Sequence, residues 1–226
     1  MNEKLRGQVK ALLFDLDGTL IDSKQDLVLA VNATLRAMRR EELPPELVAS
    51  YVGSGAPVLI TRALGGVAEP RDLERALQFF LGYYEQHKLD FTRAYPGVRE
   101  ALEQLRGTPM AVLTNKPRNI SVRILEELGL AGFFRAIYGG NSFATKKPDP
   151  LGARTALAEL AVAASEAVMV GDSEVDVQTA RNAGMISAIV NFGFGKHDRD
   201  GYPADFYLDR MEELLPLFFR DDQRLP

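Results

Sequence analysis

The sequence of 226 residues predicts an α/β fold. Short apolar runs alternate with helical patterns from about residue 95 onward, and this alternation is typical of a parallel sheet with helices on both faces. The stretch from about residue 22 to residue 92 carries helical periodicity and no strand pattern. These two observations predict a Rossmann-like core domain formed by residues 1–21 and 93–226. Residues 22–92 are expected to form a small all-helical cap domain inserted after the first strand.

The predicted strands are short apolar runs that lie far apart along the chain. The first covers residues 9–14 and ends at acidic residues, which favours a buried strand. Further strands are expected at residues 110–113, 136–138, 167–170 and 185–190, with a weaker one at 205–208. The intervals between them leave room for the helical crossovers that parallel strands need.

The helices are predicted from apolar spacing and from the residues that begin and end them. In the cap, Pro44 and Pro45 interrupt the chain, and a glycine-rich loop precedes Pro57. The third cap helix places Phe80 and Tyr84 on its apolar face, which indicates core packing rather than a cofactor site. Helices are expected at residues 22–40, 57–64, 71–86, 97–105, 119–128, 149–160 (with Asp149 as N-cap), 173–183 and 211–218.

Composition and charge exclude several classes of protein. The net charge of −4 lacks the basic excess of a general nucleic-acid binder, and the chain has no cysteine for disulfides or thiolate metal sites. The apolar runs are too short to cross a bilayer, and the polar residues 1–10 do not resemble a secretory signal. We therefore expect a cytoplasmic monomer or homodimer that binds a small molecule and neither nucleic acid nor membrane.

Polar side chains follow four of the predicted strands. Ligands in open parallel sheets bind at the carboxyl ends of the strands, so these side chains predict one shared site. The residues, in chain order, are Asp15 and Asp17 after the first strand, Thr114 and Asn115 after the second, Lys147 after the third and Asp172 after the fourth.

This set of side chains fits phosphoryl transfer. Asp15 can attack phosphorus to form an aspartyl phosphate, and Asp17 can protonate the leaving oxygen and then activate water. Thr114 offers a hydroxyl and Lys147 a positive charge to the phosphate. Magnesium prefers hard oxygen ligands, which Asp15, Asp172 and the carbonyl of Asp17 can supply.

Each feature has an ordinary structural explanation when it is taken alone. Thr114 and Asn115 could begin a helix, Lys147 could be a solvated surface lysine, and Asp172 could belong to a turn. Only the ordered set predicts chemistry. Asp176 keeps two open roles, since it could bind the metal through water or could cap and orient its neighbours.

The same motifs resemble those of the haloacid dehalogenase superfamily of phosphatases. Residues 15–19, which read Asp-Leu-Asp-Gly-Thr, match its first motif, and Thr114-Asn115 its second. Lys147 before Pro148 matches the third, and residues 171–173 with Asp176 match the fourth. The resemblance covers nearly the whole chain, including a helical cap after the first motif.

The resemblance implies a magnesium-dependent phosphatase that works through an aspartyl phosphate. It implies these roles: Asp15 as nucleophile, Asp17 as acid/base, Thr114, Asn115 and Lys147 as phosphate ligands, and Asp15, Asp17 and Asp172 as magnesium ligands. Within the superfamily the chain is most similar to phosphoglycolate phosphatases, through segments such as residues 52–57, 95–98 and 114–117.

The cap is expected to choose the substrate. Free amides at the start of a helix favour an anion, so Gly53, Ser54 and Gly55 could hold the carboxylate of a small acid, with help from Arg62. Alternatively, this loop is a flexible turn and Arg62 is solvated. Other functions stay open: a phosphatase for another small metabolite, an inorganic pyrophosphatase, a phosphosugar mutase, or a non-catalytic regulator that binds phosphate.

Overall fold

The structure, a computed structural model, describes residues 9–195 and 197–218. The polar start of the chain, residues 1–8, therefore lies outside the described residues. The strands are β1 (Ala11–Phe14), β2 (Ile21–Asp22), β3 (Arg93–Ala94), β4 (Met110–Leu113), β5 (Ala136–Tyr138), β6 (Ala167–Gly171), β7 (Ile186–Val190) and β8 (Phe206–Leu208).

Six of these strands form one parallel sheet in the order β5-β4-β1-β6-β7-β8. The central strand β1 is fully buried, and its side chains alternate between two apolar clusters, one on each face of the sheet. Leu12 and Phe14 join one cluster, whereas Ala11 and Leu13 join the other. A sheet with both faces covered explains why its strands read as continuous apolar runs. The predicted α/β fold class is confirmed.

The predicted helices lie within a few residues of their expected bounds, and one helix, Pro45–Ala49, was not predicted. The helices are α1 (Lys24–Ala37), α2 (Pro45–Ala49), α3 (Ala56–Ala63), α4 (Pro70–His87), α5 (Val98–Gln104), α6 (Arg118–Glu127), α7 (Leu151–Leu160) and α8 (Glu174–Ala183). At α7 the prediction that Asp149 is the N-cap is wrong, because Pro150 occupies that position. The Oδ1 of Asp149 still accepts a hydrogen bond of 2.9 Å from the backbone N–H of Leu151.

Two further sequence-based expectations were wrong in detail. The proline pair begins α2 instead of merely breaking the chain, because Pro45 suits the first turn of a helix. The final helix, Met211–Leu217, is a 3-10 helix with Pro216 inside it. Proline lacks the N–H that an α-helix would use at that position.

Helices α1–α4 pack mainly on one another, with α1 against α4 and α3 against α4. Phe80 and Tyr84 are buried, which confirms that the apolar face of α4 packs in a core. Within the two described ranges, none of the helices combines the length and the apolar character that a bilayer crossing needs.

An antiparallel ribbon joins this helical region to the sheet. Ile21 in β2 pairs with Ala94 in β3, and Asp22 pairs with Arg93. No strand is predicted from the sequence here, since two residues per strand are too few to show alternation. The carboxylate of Asp26 at the start of α1 lies beside the ribbon and accepts bonds from the backbone of Phe91 and from both the backbone and the hydroxyl of Thr92.

Candidate active site

The predicted site residues follow the carboxyl ends of neighbouring strands. The backbone N–H of Asp15 donates to the carbonyl of Val170 at 2.9 Å, and that of Thr114 donates to the carbonyl of Tyr138 at 3.0 Å. These bonds extend the pairing of the strands by one residue and fix where each side chain begins. Asp15, Thr114 and Asp172 are all buried at this edge of the sheet.

Lys147 lies between two carboxylates. Its Nζ is 2.9 Å from Oδ1 of Asp15 and 2.7 Å from Oδ1 of Asp176. Burial alone would lower the pKa of Lys147, but the two negative charges outweigh burial and raise it. The contacts therefore favour the positively charged form of Lys147 beside the predicted nucleophile.

The two carboxylates beside Lys147 belong to a cluster of three buried carboxylates. Asp15, Asp172 and Asp176 each place an oxygen within 4.8 Å of the others. Burial, with a further contribution from Asp176, raises the pKa of Asp15 to about 6 although Lys147 opposes the shift. Burial and the charges of Asp176 and Asp15 raise the pKa of Asp172 well above its usual range.

The cluster is short of positive charge, and its oxygen donors fit a magnesium ion. One lysine cannot balance three buried carboxylates, and hard oxygen ligands are what magnesium prefers. Asp15 and Asp172, both predicted magnesium ligands, belong to this cluster. The side chain of Asp17 points elsewhere, toward Lys116.

Asp176 uses both of its oxygens. Oδ1 accepts a bond from Lys147, and Oδ2 accepts bonds from the backbone of Ser173 at 3.2 Å and from its hydroxyl at 2.8 Å. This is a capping box at the start of α8. Of the two roles left open for Asp176, capping and orienting is the one that these contacts support.

Glycines allow the chain to pass close to the carboxylates. Gly18 has φ +79°, and a Cβ there would lie 1.9 Å from Oδ2 of Asp172. A Cβ on Gly193 would lie 2.4 Å from Cβ of Asp172, and the N–H of Gly195 donates to Oδ2 of Asp172 at 2.7 Å. Sequence reasoning missed the loop after β7, although two alternating glycines just past a strand end were its signal.

Asp17, the predicted acid/base, is held by two neighbours. The hydroxyl of Ser23 donates to its Oδ1 at 2.5 Å, and Nζ of Lys116 donates to its two oxygens at 2.9 and 3.0 Å. Lys116 also donates to the hydroxyl of Tyr84 in α4 at 2.7 Å. Sequence reasoning assigned no role to Lys116 or to the hydroxyl of Tyr84.

Asn115, a predicted phosphate ligand, connects two loops. Its Nδ2 donates to the carbonyl of Gly53 at 2.9 Å and to the carbonyl of Lys147 at 3.0 Å. Both amide hydrogens are therefore engaged, and contact of this side chain with phosphate stays a prediction. The neighbouring Thr114 accepts a weak bond of 3.3 Å from the backbone of Lys116 through its hydroxyl.

A cavity lies between the sheet edge and the helices α3 and α4. Gly53 and Gly55 from the predicted cap loop line it, whereas Ser54 and Arg62, both among the described residues, do not. Arg62 is exposed on α3. The lining residues are Asp15, Asp17, Leu27, Val52, Gly53, Gly55, Ala56, Leu59, Phe80, Leu81, Tyr84, Thr114, Asn115, Lys116, Pro117 and Ile120.

Comparison with known proteins gives consistent matches over most of the chain. A family model described as haloacid dehalogenase-like hydrolase matches residues 12–190. A phosphoglycolate phosphatase of Pseudomonas savastanoi pv. phaseolicola is 40% identical over 216 residues, which are 92% of this chain and 79% of the relative. One of Neisseria gonorrhoeae is 40% identical over 221 residues, which are 95% of this chain and 94% of the relative.

Solved structures give the same result at the level of the backbone. The crystal structure of a predicted phosphoglycolate phosphatase from Haemophilus somnus superposes with a TM-score of 0.89 at 29% identity. That match covers 94% of this chain and 99% of the other. The shared fold therefore includes the helical region as well as the sheet.

Proposed function

The chain belongs to the haloacid dehalogenase-like hydrolase family, and on that basis we propose that it is a magnesium-dependent phosphatase acting on 2-phosphoglycolate. The observation that carries the proposal is the buried contact of 2.9 Å between Asp15 and Lys147, set among carboxylates at the edge of the sheet. The relatives at about 40% identity that are called phosphoglycolate phosphatases support the choice of substrate.

Asp15 is the proposed nucleophile. One of its oxygens attacks phosphorus, the bond from phosphorus to the ester oxygen breaks, and glycolate leaves. Lys147 and Thr114, with Asn115, are the proposed ligands of the phosphoryl oxygens, and the ammonium of Lys147 offsets their negative charge. Magnesium, held by Asp15, Asp172 and the carbonyl of Asp17, would supply further positive charge against the repulsion between two anions.

Asp17 is the proposed acid/base. In the first step it gives a proton to the ester oxygen, and in the second it takes a proton from the water that attacks the aspartyl phosphate. The bonds from Ser23 and Lys116 fix the carboxylate two residues after the nucleophile. A fixed carboxylate loses little freedom when the substrate binds, which favours the reaction.

Residues 22–92 form the proposed cap domain, and residues 1–21 with 93–226 the proposed core domain. The ribbon of β2 and β3 supports this boundary, because the chain leaves and re-enters the core beside it. Gly53, Ser54, Gly55 and Arg62 are the proposed substrate contacts of the cap, and the presence of Gly53 and Gly55 in the cavity wall supports part of that set. We propose a cytoplasmic monomer or homodimer with no nucleic-acid or membrane partner.

Phosphate release by the purified protein tests the proposal. With magnesium, 2-phosphoglycolate is expected to give the highest kcat/KM in a panel that also holds a hexose phosphate, a nucleotide and pyrophosphate. Asp15→Asn is the control and should abolish turnover. A higher kcat/KM on another member would reassign the substrate, and no turnover on any member would favour a non-catalytic regulator.

A further inference from the structure

The ammonium group of Lys116 is fixed in the wall of the cavity that Asp15 and Asp17 also line. It donates to both oxygens of Asp17 on one side and to the hydroxyl of Tyr84 on the other. It also lies 4.4 Å from the centre of the Tyr84 ring, which adds a cation–π contact. Only 5% of the Lys116 side chain is exposed. Lys116 is therefore a preorganised cation.

Among the described residues that line this cavity, only Lys116 carries a positive charge. The charged residues beside it in the lining are Asp15 and Asp17, and most of the remaining wall is apolar, with Leu59, Phe80 and Ile120 as examples. A second anionic group on a substrate needs a charged partner when it leaves water. In this wall Lys116 can provide one.

The position of Lys116 relative to the acid/base fixes which part of a substrate it can reach. Asp17 must contact the ester oxygen in order to protonate it. In 2-phosphoglycolate a single methylene group separates that oxygen from the carboxylate. A cation in hydrogen-bond contact with Asp17 is therefore close to the substrate carboxylate.

The substrate also resolves a problem of charge pairing. When one oxygen of Asp17 contacts the ester oxygen, Lys116 keeps fewer bonds to that carboxylate, and a buried ammonium that is short of partners is unfavourable. A carboxylate on the substrate can take the place of Asp17 as the partner of Lys116. A neutral substituent of the same size cannot, because it brings no charge.

We infer that Lys116 binds the carboxylate of the substrate and selects short phosphoesters that carry this group beside the ester carbon, with Tyr84 of α4 holding the ammonium in place. The inference rests on the proposed function and deepens it. It assigns the choice of substrate to a contact between the loop after β4 and helix α4.

The test compares 2-phosphoglycolate with 2-hydroxyethyl phosphate, in which a neutral hydroxymethyl group replaces the carboxylate. The measured quantity is the ratio of kcat/KM for the two substrates. Lys116→Met should lower this ratio about 10- to 100-fold, the range expected for a lost hydrogen-bonded charge pair. Any effect of the change on Asp17 acts on both substrates and leaves the ratio unaltered. An unchanged ratio would overturn the inference.

Three further variants keep the test decisive. Arg71→Ala, at an exposed position outside the cavity lining, should leave the ratio unchanged. A selective loss in Arg62→Ala without one in Lys116→Met would make Arg62 the carboxylate ligand instead. Tyr84→Phe keeps the ring and removes the hydroxyl. We expect it to lower the ratio about threefold, at the lower end of what a hydrogen bond contributes, because the ammonium keeps its contacts with Asp17. If Lys116→Met does not fold, an unchanged ratio in Tyr84→Phe overturns the inference.

The wild-type protein separates the two proposals. If it does not hydrolyse 2-phosphoglycolate, the proposed function fails. If it does, and Lys116→Met lowers kcat/KM equally for both substrates, the proposed function stands and only the role of Lys116 fails.

Discussion

The Nζ of Lys147 lies 2.7 Å from Asp176 and 2.9 Å from Asp15, so the residue that caps helix α8 also holds the lysine beside the proposed nucleophile. The start of α8 and the position of the lysine thus depend on one carboxylate. A change at Asp176 should affect chemistry, whereas a change at its capping partner should affect mainly stability.

Replacing Asp176 by Asn removes the negative charge that holds Lys147. We expect kcat/KM to fall about 10- to 100-fold, the usual cost of losing a partner that orients a reacting group. Ser173→Ala is the matched control, since it removes a hydroxyl from the same capping box. It should cost about 1 kcal/mol of unfolding free energy with a smaller loss of activity. Equal losses of activity in the two variants would contradict this division.

The raised pKa of Asp15 predicts how metal-free stability changes with pH. Burial raises that pKa from 3.8 to about 6, so the folded state binds the proton more tightly than the unfolded state. The resulting stabilisation is full below the unfolded pKa and is lost as pH rises through about 6. Asp15→Asn has no charge to bury at this position. At pH 8 its free energy of unfolding should therefore exceed that of the wild type by ~1–3 kcal/mol.

Urea unfolding in the presence of a chelator, from pH 4 to pH 8, measures this difference. The advantage of Asp15→Asn should shrink toward pH 4, where wild-type Asp15 is protonated in the folded protein. An advantage that stayed constant over the whole range would show that burial of the Asp15 charge is not its cause.

Magnesium should stabilise the folded protein through the acidic cluster. At a hundredfold excess over its Kd, one bound ion contributes about 2.7 kcal/mol, seen as a rise in Tm at pH 8. Asp172→Asn should lose most of this rise, because it removes one of the buried carboxylates. Asp72→Asn, at an exposed position in α4, should keep the full rise. An equal rise in all three proteins would place the ion elsewhere.

Gly18 should tolerate no side chain. In Gly18→Ala the new Cβ meets Oδ2 of Asp172, and φ +79° is unfavourable for any residue with a Cβ. We expect activity to fall on the order of 100-fold or more, as for other displaced reacting groups. Gly82→Ala is the control, as nothing lies within 4 Å of its added Cβ in α4. It should keep full activity and gain up to about 1 kcal/mol of stability.

The strands and most helices were predictable because burial on both sides of a sheet leaves a local mark in the sequence. Residues 110–113 and 136–138 are strands with the predicted bounds. The ribbon of β2 and β3 was not predictable, because its two halves are far apart in the chain and each is only two residues long. Nothing near Ile21 indicates that Ala94 will pair with it.

For the site, sequence reasoning found the residues that directly follow strands and missed those that meet through the fold. Asp15, Thr114 and Asp172 lie at one edge because parallel strands share a direction. Tyr84 and Lys116 are 32 residues apart, and their hydrogen bond depends on how α4 sits over the sheet. The helical spacing of Tyr84 correctly indicated a buried ring, but spacing carries no information on where a hydroxyl points.

The ribbon and the Asp26 contacts place the two chain crossings of the helical region side by side. A segment whose ends are adjacent can be shortened, lengthened or exchanged without moving the parts of the chain before and after it. The sheet would keep its reactive edge while a different set of helices was spliced in at Ile21 and Ala94. A chimera joined at this pair would therefore show whether the helices choose the substrate.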